Sequence, residues 1–185
     1  NSYFGTNLPQ SKTEYRFANG SEILFRHGNE NDLAVLKNIN LSMACIEQGE
    51  EYENGEVFNW LRQRLRRTQT PINQLCTIAN SNGRNWLYEL FVEQATEIQE
   101  RSKKIQVNNE ILDTGETYYH RQELVEIDGE MVELDYDCWT ANSYVNAHNL
   151  PITTIADWTI MKKDAPNHYK RMILNSFDEV DDTDM

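Results

Sequence analysis

Large apolar residues recur along this chain at different periods, and each period predicts a different element. From Thr13 to Gly28, Tyr15 and Phe17 precede Asn19-Gly20, and Ile23 and Phe25 follow it, with polar residues between them. Period-two alternation around Asn-Gly predicts a β-hairpin closed by a type I′ turn, whose two central residues need positive φ. Leu41 to Ile46 (LSMACI) is an uncharged, nearly continuous apolar run that stops at Glu47. That is the pattern of a strand buried on both faces. Asn73 to Ala79 (NQLCTIA) has the same character and runs into the turn-rich Asn80 to Gly83. Between the two runs, Val57, Trp60, Leu61 and Leu65 fall at three- and four-residue steps. The spacing predicts an amphipathic helix from Glu56 to Thr68 that ends before Pro71.

Weaker patterns complete the chain. Asn31 to Lys37 reads as a short helix with Asn31 as N-cap, and Trp86 to Ala95 as another helix. Gln122 to Tyr136 is a second hairpin around Asp128-Gly129, and Cys138 to Val145 a further strand. Ile152 to Lys163 and Ala165 to Leu174 form a helix pair, with Pro166 in the first turn of the second. Buried strands alternating with helices argue for an α/β fold built on a parallel sheet. The hairpins would decorate its edge and the late helices would act as a lid or linker. Residues 1–177 would be one domain and 178–185 an acidic, solvated tail or linker.

Charge narrows the function. Acids outnumber bases 30 to 17, a net charge of −13. Much of it is local, in Glu47, Glu50, Glu51, Glu53 and Glu56 and again in Asp178 to Asp184. Such a surface repels phosphate backbones, so strong nucleic-acid binding would need a local basic patch or parts not in this chain. No apolar run approaches the roughly 20 residues of a membrane span, and the N-terminus does not read as a signal peptide. The chain does not begin with Met, as expected if it starts inside a longer one. Cys45, Cys76 and Cys138 are far apart in sequence and read as buried thiols of a reducing compartment.

Three constellations could carry chemistry. An uncharged strand delivering Glu47 to a sheet edge, with Glu50 and Glu51 one turn on, suits a Mg²⁺ ion that takes one or two carboxylates and keeps water and phosphate oxygens. A second carboxylate there could orient an attacking water. The same acids also suit an ordinary helix N-terminus. Thr77 and Asn80, at the end of the second run, could hydrogen-bond a γ-phosphate or form a simple turn. Arg62, Arg64, Arg66 and Arg67 could stabilise phosphoryl charge, grip a DNA backbone, or form a solvated face. No G-x-x-x-x-G-K-[ST] loop occurs in the sequence.

Four stretches in order resemble the phage terminase large subunit. They are Phe17 to Phe25, Asn40 to Glu51 with the Val57–Arg67 segment, Thr77 to Trp86 (TIANSNGRNW), and Asn149 to Phe177. In that family they look like the edge hairpin, the Walker B strand and its helix, the coupling motif, and the helical segment before the nuclease. The resemblance implies a P-loop (ASCE-type) ATPase that threads double-stranded DNA into a procapsid, using ATP and Mg²⁺. Glu47 would then be the Walker B acid, Thr77 and Asn80 would belong to the coupling motif, and Arg66 would lie at the nucleotide.

The resemblance has two departures. Gln48 follows Glu47 where many members carry the catalytic glutamate, so Glu50 or Glu51 takes that role, or water is oriented differently, or hydrolysis is impaired. The Walker A loop would precede residue 1 and the nuclease would follow residue 185, leaving this chain inactive alone. The implied partners are DNA, the portal protein, the small terminase subunit and other copies in a ring, in the host cytoplasm and transiently at the procapsid portal. The competing expectation is a non-enzymatic phage assembly domain docking a partner through its acidic face and Tyr118, Tyr119 and Trp139. A metal-dependent nuclease fits less well, since its carboxylates must converge from several strands.

Overall fold

Strand pairing organises the computed structural model, which describes residues 13–27, 36–107 and 110–178. The strands in chain order are β1 (Glu14–Arg16), β2 (Glu22–Leu24), β3 (Met43–Glu47), β4 (Gln74–Ile78), β5 (Glu97–Glu100), β6 (Lys104–Val107), β7 (Glu110–Asp113), β8 (Thr117–Ile127) and β9 (Glu130–Thr140). The helices are α1 (Glu56–Arg62), α2 (Ile152–Asp164) and α3 (Pro166–Met172), with a π-helical segment at Tyr88–Glu93 and 3₁₀ turns at Gly49–Glu51 and Ser143–Asn149. Pairing gives the sheets β1-β2, β3-β4, β5-β8-β9 and β6-β7. All but β3-β4 are antiparallel. In β3-β4 the partners rise together: Gln74 N donates to Ser42 O, and further along Cys76 meets Cys45. That is the parallel pair, connected through α1 as parallel strands require.

The fold is mixed α/β, yet the expected central sheet is narrow. No third strand joins β3-β4 among the described residues. Of β3 only Ile46 is buried, and Met43 is 55% exposed. A two-stranded ribbon cannot cover both faces of its own strands, so the apolar run does not become a fully buried strand. Nor are the hairpins edge decorations of that sheet, because β1-β2 is separate and β8-β9 joins β5.

The chain divides into two compact units, residues 1–44 with 56–75, and residues 45–55 with 76–185. In the first, Leu36, Val57, Phe58 and Leu61 are buried. Its hairpin turns differently from expectation, since in Asn19-Gly20 only Gly20 has positive φ (84°). Phe17 N donates to Ser21 O and Gly20 N to Phe17 O, a type I turn followed by a glycine bulge. Helix α1 also stops at Arg62, not Thr68. Beyond it Leu41 N donates to Arg64 O and Arg66 N to Leu41 O, making a parallel bridge between Leu41 and Leu65. Those backbone groups are then unavailable for helical bonds, so Arg64, Arg66 and Arg67 leave the helix. The expected helix at Asn31–Lys37 lies mainly outside the described residues, as does the tail after Asp178.

In the second unit Tyr144, Ala147, Ile155, Tyr169 and Ile173 form a core against which Ile105, Leu112, Trp158 and Met161 pack. The Tyr144 and Tyr169 hydroxyls are 2.8 Å apart, and burial pushes the Tyr169 phenol well above its ordinary value. The β8-β9 hairpin turns at Asp128-Gly129 as expected, with both residues at positive φ (54° and 86°), but it is longer at both ends. Its second strand ends at Thr140, and the chain then enters a 3₁₀ segment instead of continuing as strand to Val145. There Asn142 caps the new segment by accepting from Tyr144 N. The thiols form no disulfide, but they are less buried than expected, with Cys45 exposed and Cys76 and Cys138 half-buried. Desolvation raises Cys138 to about 11 and, with the neighbouring Cys76 thiol, Cys45 to about 11.

Candidate functional site

Strand β3 alternates its faces, so Glu47 shares the side of Met43 and Cys45, opposite buried Ile46. The chain then reverses within one residue. Gln48 adopts the left-handed conformation (φ 55°, ψ 50°) and leads into the Gly49–Glu51 turn. Its side-chain amide donates to Glu51 Oε1 at 2.9 Å. The turn therefore separates its acids, with Glu51 tied to Gln48 and Glu50 directed elsewhere.

Glu50 meets the loop after β4. Asn80 Nδ2 donates to Glu50 Oε1 at 3.3 Å, while Glu50 Oε2 is buried with no hydrogen-bond partner. Thr77 Oγ1 is buried and unpartnered as well. Glycine at 49 makes this approach possible, because a Cβ there would stand 2.3 Å from Thr77 Oγ1. Trp86 holds the turn from a third direction, its indole N–H donating to Gly49 O at 3.2 Å. The far side of the loop is also fixed. Ser81 is buried, its N–H donating to Asn175 Oδ1 at 2.7 Å and its hydroxyl to Arg171 O at 3.4 Å.

The structure thus brings Glu50, Thr77 and Asn80 together and sets Glu47 at the strand end that leads into them. Arg66 belongs to the first unit, where it lines a cleft with Asn40, Arg67, Thr68 and Gln69. Sequence reasoning missed the roles of Gly49, Gln48 and Trp86. The signals were present in the single glycine of EQGEE and in the Asn-Trp pair, but spacing alone does not say what a glycine must clear. Glu50 Oε2 and Thr77 Oγ1 are thus two buried, unpartnered hard oxygens. Among the described residues no group of three His, Cys, Asp or Glu could hold a metal.

A family model described as phage terminase large subunit matches residues 5–175. The chain belongs to the phage terminase large subunit family. Within curated proteins it is 33% identical over 117 residues to the PBSX phage terminase large subunit of Bacillus subtilis (strain 168). That match covers 60% of this chain and 25% of the relative, so the chain spans about a quarter of the relative's length. No solved structure matches. The family match takes in both terminase-like segments that form the Glu50–Asn80 contact.

Proposed function

We propose that this chain is the part of a phage DNA-packaging motor that follows its phosphate-binding loop, coupling ATP hydrolysis to movement of double-stranded DNA. The observation that carries the reading is the Asn80–Glu50 hydrogen bond at 3.3 Å, which joins the acidic turn after β3 to the loop after β4. Family membership supports the packaging role, and the parallel strand pair supports a nucleotide edge at the carboxyl ends of β3 and β4.

In this reading Glu47 would hold Mg²⁺ through water, and Thr77 and Asn80 would form the loop that responds to the γ-phosphate. When bound, Mg-ATP would supply the phosphoryl group and the cation that offsets its charge. Glu50 is favoured over Glu51 as the water-orienting carboxylate, because its second oxygen is buried with no partner while Glu51 is held by Gln48. Portal protein, small terminase subunit and further copies in a ring would be the partners, in the host cytoplasm and at the procapsid portal.

The test belongs in the complete protein. Glu47→Ala and Glu50→Gln should each abolish most Mg-dependent ATP hydrolysis, by about 10²-fold or more, with unchanged circular dichroism and melting. Glu51→Gln should retain most of the rate. Normal turnover by Glu47→Ala removes that residue from the mechanism and this reading with it.

A non-enzymatic docking role has one observation in its favour. Trp139 is 61% exposed, its ring tilted against that of Tyr118 at 4.7 Å and covered by Arg101 at 4.5 Å. Wild-type complete protein that binds a packaging partner but hydrolyses no ATP would select it.

A further inference from the structure

We infer that the cleft lined by Asn40, Arg66, Arg67, Thr68 and Gln69 is a binding site for the phosphodiester backbone of nucleic acid. The inference rests on the packaging reading for its biological sense but on its own geometry for its chemistry. The cleft is open, about 190 Å³, and lies within the first unit. It exists because α1 stops early. On a continued helix Arg66 and Arg67 would point about 100° apart. Instead Arg66 N and Arg67 N both donate to Leu41 O, at 3.1 and 3.4 Å, which sets the two arginines at one mouth.

Local charge then decides what the mouth accepts. In a chain where acids outnumber bases 30 to 17, residues 36–46 and 57–73 contain no carboxylate. They carry Lys37, Arg62, Arg64, Arg66 and Arg67. Arg67 is oriented by its Nε–H, which donates to Asn40 O at 3.1 Å and leaves its terminal nitrogens to other acceptors. Thr70 steadies the same turn, its hydroxyl donating to Arg67 O at 3.0 Å. In the same unit Trp60 carries two cations, Arg64 at 5.3 Å and Lys37 at 5.9 Å from its ring. Guanidinium forks with neutral hydrogen-bonding side chains suit phosphate oxygens, and they contact the backbone without reading sequence. The acidic remainder of the molecule makes this a local grip on one stretch of backbone.

Fluorescence anisotropy with a labelled duplex of arbitrary sequence tests the site on the full chain. Arg66→Gln/Arg67→Gln should weaken binding at least fivefold at about 50 mM salt and lower the slope of log K against log salt by roughly 1.8, the value for two phosphate contacts. Arg66→Lys/Arg67→Lys should keep most of that slope. Lys162→Gln/Lys163→Gln, on α2, should change neither quantity. Duplexes of different sequence should lose affinity equally.

The proposal is overturned if the wild-type chain binds no duplex at low salt, or if the glutamine pair binds as wild type does. It is also overturned if the pair loses affinity for ATP alone, which would make the cleft a nucleotide site. Displacement of duplex by polyglutamate as effectively as by unlabelled duplex would mark a generic anion surface and overturn it too. ATP hydrolysis by the complete Glu47→Ala protein reads the motor assignment separately, so either conclusion can fail without the other.

Discussion

Asp137 takes contacts from two side chains of the opposing strand. The Tyr118 hydroxyl donates to its Oδ1 at 2.5 Å, and His120 Nδ1 lies 2.8 Å from the same oxygen. The Tyr118 bond holds the Asp137 carboxyl below its ordinary value, partial burial opposes this, and His120 adds to the lowering. A lowered folded-state value means stabilisation that is present above about 3.8 and lost as the pH falls through the lowered value. Asp137→Asn should therefore flatten the fall of melting temperature on acidification below that point, measured by circular dichroism. The effect should be a few degrees at most, because the Asp137 side chain is 48% exposed. The place of a single residue was legible in the sequence where a local pattern ends, as with Glu47 at the end of both the uncharged run and β3. They were illegible where the partner is distant. Which acid of Glu50 and Glu51 faces Asn80 depends on the left-handed turn at Gln48, a conformation that few non-glycine residues adopt.

Elements were legible where local rules had no rival. The Asp128-Gly129 hairpin and the helix pair broken at Pro166 follow from turn and cap chemistry alone. Helix α1 came out short because its apolar period continues to Leu65 while the backbone there pairs with Leu41, a contact 24 positions back that periodicity cannot register. The joint between the turn after β3 and strand β4 makes a testable unit. Gly49→Ala would place its methyl against Thr77 Oγ1 and should destabilise the protein by about 1–3 kcal/mol. Adding Thr77→Ala removes the clashing hydroxyl and should recover most of that loss. A denaturant double-mutant cycle with coupling near zero would show that the two positions do not touch.

At the scale of the molecule, composition told more about charge than about architecture. The parallel pair, its acidic end and the family were readable. The narrowness of that pair was not, since sheet width depends on which strands find each other. A net charge of −13 should make the fold self-repelling. Melting temperature should rise by a few degrees between roughly 20 and 300 mM sodium chloride as that repulsion is screened, and a fall on adding salt would contradict it. The β8-β9 hairpin shows what the charge is good for. Leu124, Val125, Ile127, Met131, Val132 and Leu134 on it are each 37–58% exposed. From Gln122 to Tyr136 the hairpin carries Glu123, Glu126, Asp128, Glu130, Glu133 and Asp135 and no cation. Two copies laid ribbon to ribbon would crowd like charges along their whole length. At neutral pH that repulsion should oppose clumping of this greasy finger with its twins.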